Sequence, residues 1–260
     1  MCNQPQRLSA ALAPVRTALV VQPPVNRWGL GYIQGGDVLL VRTPKSSTTP
    51  VDLAGPLVEI ATDCAIAQAV NDDFGGTDNT PPFRFRRWLF AQTGLLQLAG
   101  VEDFAPRLLE HVPEYLRRNI RGRTPAELIF HLFLSMLHDE GNIDDPNLPT
   151  AATRRALAAT LRLVTAELAK AGKPEVSLGN VALTNGRSMV VAHLDEPLRL
   201  RRLTVANERG EAERGADSFR GVLLVSGGDG DPREGFEDVP NRHTVLISRD
   251  LQVTFADLAP

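Results

Sequence analysis

The chain has 260 residues, 43% hydrophobic and 23% charged, with a formal net charge of −3. That is the profile of a globular protein long enough to bury a sizeable core without staples, and so mild a balance argues against general nucleic-acid binding. Two cysteines, Cys2 and Cys64, exclude a disulfide framework, and the absence of any apolar run near the ~18 residues of a membrane span excludes a membrane protein of that kind. The start, Met1-Cys2-Asn3-Gln4-Pro5, lacks the apolar core of a secretion signal, so the expected compartment is the cytoplasm.

In chain order, residues 17–22 and 29–42 read as strands, the second folded at Gly35-Gly36, a hairpin signal. A Ser/Thr-rich loop follows from Pro44 to Pro50. Residues 51–70 carry helix or strand character that periodicity does not separate. Residues 71–83 are crowded with turn formers, and Trp88-Leu89-Phe90-Ala91 has strand length. The middle is helical: 104–118, then a helix through His138 that starts at Thr124-Pro125-Ala126-Glu127, with Thr as cap and Pro in the first turn. Residues 151–171 form the clearest amphipathic helix, closed by Gly172 and Pro174. The last third returns to strands at 176–184, 188–194, 198–206, 221–226, 243–249 and 251–255, the first two joined by Asn185-Gly186. Strands, then helices, then strands predict an α+β fold of sheets layered with helices, as one domain over 1–260, not a doubly wound parallel sheet.

Several segments, in order, resemble the class II glutamine amidotransferases, in particular the stand-alone bacterial branch. Members begin Met-Cys, as here, and Leu8-Ser9-Ala10 matches the stretch that follows. Asn26-Arg27-Trp28-Gly29-Leu30-Gly31-Tyr32 resembles their Gly-Trp-Gly-Ile-Gly turn and strand, and Asn79-Thr80-Pro81-Pro82-Phe83 resembles Asn-Thr-His-Pro-Phe. Trp88 to Gly94 resembles Trp-Xaa-Phe-Ala-His-Asn-Gly, residues 126–130 the helix after Thr-Asp-Ser-Glu, and Asn180 to Gly186 the hairpin ending Asp-Gly. The resemblance implies a four-layer α-β-β-α sandwich of the N-terminal-nucleophile hydrolase type.

It also implies a chemistry. The initiator Met is removed and the exposed cysteine, here Cys2, attacks a glutamine side-chain amide with its own α-amine as base. Cys2 and Gly94 are the implied catalytic residues, Thr80 and Thr93 the implied substrate-binding ones. Other parts depart from the pattern. The arginine that grips the substrate carboxylate falls on Val70, the histidine on Pro81, the oxyanion-hole asparagine on Thr93 and the ammonium-binding aspartate on Pro125. An isopropyl group cannot replace a bidentate Arg–carboxylate contact. One lost oxyanion donor costs about 10²–10³ in rate. Each lost buried charge contact costs about 2–5 kcal/mol.

Two functions follow from these departures. Either the chain is a degenerate member with glutamine hydrolysis weak or lost, kept as a binding or regulatory subunit beside a partner synthase or regulatory protein, or it is an active cysteine amidohydrolase on a γ-glutamyl-type or other amide. Arg84, Arg86 and Arg87 lie close in sequence to the site loops and either reach in or form a solvated strand face. No metal or cofactor is expected. His131 and His138 share a helix face without zinc spacing, Gly227-Gly228-Asp229-Gly230-Asp231 is a lone acidic turn, and Arg117, Arg118, Arg121 and Arg123 read as a solvated or partner-contacting cluster. Cys64, in an apolar stretch, reads as core.

Overall fold

A computed structural model describes residues 1–94, 104–205, 212, 215, 217–227 and 234–258. The first half holds α1 (Leu8–Leu12), β1 (Val20–Val21), β2 (Arg27–Gln34), β3 (Asp37–Thr43), β4 (Val51–Asp52), β5 (Ala65–Val70), β6 (Phe83–Phe85) and β7 (Trp88–Gln92). Four helices follow: α2 (Phe104–Glu110), α3 (Glu114–Arg117), α4 (Pro125–Glu140) and α5 (Thr150–Lys170). The last third holds β8 (Val181–Thr184), β9 (Met189–Ala192), β10 (Leu198–Leu203), β11 (Gly221–Ser226), β12 (Glu237–Asp238), β13 (His243–Ile247) and β14 (Val253–Asp257).

The two hairpin signals hold, joining β2 to β3 and β8 to β9, with Gly35, Gly36 and Gly186 at positive φ. The predicted start of α4 holds as well: the Thr124 hydroxyl accepts from the Glu127 N–H at 3.3 Å, and Pro125 occupies the first turn. Other expectations need correction. Residues 13–19 form a 3-10 helix, leaving only Val20 and Val21 extended within the predicted strand at 17–22. The ambiguous 51–70 stretch divides into β4, a short 3-10 turn and β5. The predicted 104–118 helix breaks at Pro113, whose extended backbone ends one helix and caps the next. Only Val181–Thr184 of the predicted 176–184 is a strand, and position 206 of the predicted 198–206 lies outside the described residues.

The chain is a mixed α/β protein with several sheets. One sheet has six strands in the order β14-β13-β9-β8-β7-β6; two others have three, β3-β2-β5 and β11-β10-β12. Strand alternation separates three apolar cores. From β7, Trp88 and Phe90 face α2, α4 and α5, where Phe90 stacks on Phe130 at 5.2 Å. Leu89 and Ala91, on the other face, meet Ile33 and Ile66 of β2 and β5 and Leu198, Leu200 and Val222 of β10 and β11. Beyond these strands, Leu8, Ala11, Leu12 and Val15 pack on Leu30, Leu57 and Leu203.

Close approach between the sheets explains two glycines of β2. A Cβ on Gly31 would stand 2.6 Å from a Leu89 methyl and 2.9 Å from the Pro82 ring, and one on Gly29 would collide with the Pro81 carbonyl.

The two three-stranded sheets are not joined to each other by a strand ladder. Residues 1–3 bridge them at one end: the Cys2 N–H donates to the Asp63 carbonyl at 2.8 Å and the Asn3 N–H to the Arg220 carbonyl at 3.0 Å. Met1 exchanges both backbone bonds with Val222, at 2.8 and 3.0 Å.

Candidate functional site

Two adjoining cavities lie at the junction of these sheets. The smaller, about 50 Å³, is lined by Val70, Pro81, Gly94 and Pro125, together with Arg27, Gln68 and Asp72. Four positions that the sequence pattern assigned to one substrate pocket are therefore brought together by β5, the loop before β6, the end of β7 and the start of α4. The volume holds a few waters but no amino acid.

Its charge comes from a pair that sequence reasoning missed. Arg27 is 2% exposed and lies directly across the ladder from Val70, since β2 and β5 pair with Arg27 opposite Val70. Its Nη2 donates to Asp72 Oδ2 at 2.9 Å, and Nη1 lies 2.5 Å from Oδ1 as an ion pair; Nη1 and Nε find no hydrogen-bond partner among the described residues. The Asp72 carboxylate also accepts from the Phe74 N–H at 3.0 Å, which fixes it to its loop. No local signal marks it: the pairing emerges only once β2 lies beside β5 in this register. Of the arginines weighed instead, Arg84 bonds the Val38 carbonyl and Arg86 pairs with Asp144. Neither these two nor Arg87 lines the cavity.

Glutamine side chains complete the floor. Gln68 donates to the Gln92 carbonyl and Gln92 to the Leu178 carbonyl, while the Oε1 atoms of both find no protein partner among the described residues.

The Thr93-Gly94 turn sits where both cavities meet. Gly94 has φ +81°, and Gly179 packs so tightly on the turn that a Cβ there would collide with the Thr93 carbonyl. Thr93 is held by the backbone and side chain of its neighbours: its N–H donates to the Asn180 carbonyl at 2.8 Å, and its hydroxyl accepts from the Asn180 N–H at 3.0 Å. Asn180, 3% exposed, ties the turn to Ser226 and the Glu196 carbonyl, at 2.8 and 2.7 Å. Thr80 is fully buried and its hydroxyl donates to the Gly76 carbonyl at 2.9 Å; it does not line either cavity.

Cys2 occupies a different compartment. It is 6% exposed, packs with Leu8, Leu12 and Phe219 on the helix side, and its thiol approaches the Thr62 carbonyl at 3.5 Å. Burial pushes the thiol pKa up, which keeps sulfur protonated and a poor nucleophile at neutral pH. Met1, the alternate residue, faces the larger cavity that Thr93 and Gly94 also line. In an extended chain, one residue of slip exchanges the two faces.

Cys64 is fully buried between the sheets, 3.2 Å from the Thr184 hydroxyl. His131 bonds the Glu127 carbonyl through Nδ1 at 2.9 Å inside the helical core, and no group of three His, Cys, Asp or Glu side chains is placed to hold a metal among the described residues. Of the glycine-rich acidic turn, only Gly227 lies within the described residues. Among the described residues, no helix is long and apolar enough to cross a membrane.

Sheets and helices surround a cavity that reaches the chain's first residues, in a mixed α/β architecture. No family model and no curated protein matches the chain. Solved structures do. A glutamine aminotransferase class-II domain protein from Silicibacter pomeroyi aligns with a TM-score of 0.56 at 18% identity over 90% of this chain and 92% of that one. A predicted glutamine amidotransferase from Pseudomonas aeruginosa gives 0.53 at 17% over 88% and 86%. The glutamine phosphoribosylpyrophosphate amidotransferase of B. subtilis, solved with ADP and GMP, gives 0.53 at 12%, with 98% of this chain spanning 47% of that one. The fold is the one these class II amidotransferase proteins share.

Proposed function

We propose that the chain is a class II glutamine amidotransferase-like domain, one unit over 1–260 arranged as a four-layer α-β-β-α sandwich, in which glutamine hydrolysis is weak or lost. The observation that carries the reading is the occupied guanidinium. Arg27 stands across from Val70, where it would compensate for the missing carboxylate grip, yet its charge is already paired with Asp72 of the same chain. A substrate carboxylate would have to compete with an ion-paired carboxylate of the same chain, and no aspartate stands at Pro125 to receive the ammonium. The placement of Cys2 on the helix side of the sheet supports the same conclusion. In this reading the domain serves as a cytoplasmic binding or regulatory subunit beside a synthase or regulatory protein, without nucleic acid, membrane, metal or cofactor.

One observation favours the alternative of an active amidohydrolase on a γ-glutamyl-type or other amide. Met1 lines the cavity that Thr93 and Gly94 also line, so loss of Met1 would make Cys2 the first residue and free it to turn that way. Cys2 would then be the nucleophile, Gly94 an oxyanion donor through its backbone N–H, and Thr93 would orient the substrate, while Thr80 stays behind the cavity wall. Intact-mass measurement, a glutaminase assay and labelling with a glutamine-analogue electrophile decide between the two. The degenerate reading expects no turnover and no adduct on Cys2; turnover together with a Cys2 adduct, both lost in Cys2→Ala, would overturn it.

A further inference from the structure

The larger cavity, about 690 Å³, runs between two strands that each pair, among the described residues, with a strand on one side only. β5 pairs with β2, and β11 pairs with β10; among the described residues, the backbone of residues 1–3 alone touches their outer edges. At that end the gap is one extended chain wide, because Cys2 and Asn3 hydrogen-bond to Asp63 on one side and Arg220 on the other. Beyond Met1, the alternation set by these bonds turns the N–H and C=O groups of Ala65, Ala67 and Ala69 toward the gap from one edge. Those of Leu224 and Ser226 face it from the other. Such groups seek partners, and an unpaired edge is a template for another strand.

We propose that this seam is a strand-acceptor site that takes an extended segment of a partner protein, about five residues long at ~3.3 Å each. The guest continues the line of residues 1–3, antiparallel to β11 as Cys2 is to Gly221. Its side chains alternate between two apolar walls. One is lined by Ile66, Val191 and Leu224, and the other by Leu12, Leu19 and Leu57. A guest buried on both faces must be apolar throughout, like a central strand. The guest's N-terminal end lies beside Ser226, where Glu196 lines the cavity and, among the described residues, no lysine or arginine does, so a cationic residue belongs there. The rows of backbone groups favour a peptide over a lipid chain, which would leave them unsatisfied. This inference does not depend on whether Cys2 reacts.

The test uses the full chain and a synthetic pentapeptide, N-acetylated and C-amidated, with lysine first and valine and leucine after it. Hydrogen exchange should slow at least about tenfold at the amides of Ala65, Ala67, Ala69, Leu224 and Ser226. The variant Ala67→Pro removes one N–H that faces the seam while sparing the ladder to β2, as edge strands tolerate. It should weaken the peptide about three- to tenfold, the value of one hydrogen bond, with Ala67→Ser unchanged. If Ala67→Pro fails to fold, a peptide carrying N-methylated alternate residues supplies the same deletion from the guest side. Absence of protection, equal protection by the N-methylated peptide, or displacement of the peptide by oleate without seam protection would each overturn the proposal.

Discussion

The two sides of the between-sheet core are built differently. The six-stranded sheet is continuous, and its far face is sealed by α2, α4 and α5 with phenylalanines at zero exposure. The opposing side is assembled from two three-stranded sheets that, among the described residues, share only residues 1–3, and both cavities, the Arg27–Asp72 ion pair and the seam lie against it. The six-stranded sheet leaves unpaired backbone edges only at its outer strands, β14 and β6, away from its middle. The divided side places two such edges, β5 and β11, beside the Thr93-Gly94 turn and the cavities.

The largest test of this contrast concerns the ion pair. Asp72→Asn leaves the Arg27 cation buried without its anion, and stability should fall by about 3–5 kcal/mol in a urea titration. Arg27→Met combined with Asp72→Leu removes both charges and should recover most of that loss, since a buried pair often does no more than break even against apolar residues. If the single variant costs nothing, Arg27 reaches solvent and the pocket is not the closed site described. Loss of fold in the double variant would show that the pair organises the loop at residues 71–76 beyond its charge.

A smaller effect reports on how closely the two sides approach. Gly31→Ala places a methyl against Leu89 and Pro82 of the opposing sheet. Overpacking of this kind costs about 1–3 kcal/mol, and the loss should be relieved in part by Leu89→Ala in the same chain. Additive losses would mean that the sheets part locally instead of pressing together.

What the sequence revealed follows the same division. The helix-backed side was legible because its signals are local: Thr124-Pro125 starts a helix, Asn185-Gly186 turns a hairpin, and the apolar period of 151–171 marks α5, which runs Thr150–Lys170. The divided side was not. Whether residues 51–70 form helix or strand depends on β2 pairing with β5 across a long loop, and the role of Arg27 depends on the register of that ladder. The gathering of Val70, Pro81, Gly94 and Pro125 was legible only through resemblance, since nothing in their spacing brings them together. Arg27 and Asp72, 45 positions apart, carry no local mark at all.

The smallest effect lies on the helix-backed side and concerns a buried polar group there. His131 is 2% exposed; Nδ1 bonds the Glu127 carbonyl, and Nε2 has no partner among the described residues. Burial lowers its pKa, outweighing the carbonyl contact that raises it. The unfolded chain therefore takes up a proton below about pH 6.5 that the native ring refuses. Its share of stability is complete above that pH and is lost as pH falls toward the depressed native value. Glu127, one turn earlier, works with the opposite sign. Burial raises its pKa despite bonds from the Arg121 and Gly122 amides, so its share is complete below about 4.3, the unfolded value, and lost as pH rises through the native one. Comparing the native chain with His131→Phe cancels the glutamate contribution. The variant should hold its stability more evenly from pH 7 down to 5 in denaturant titrations. An identical slope in both proteins would mean that the ring is hydrated, and that the helix-backed side is less tightly sealed than the contrast requires.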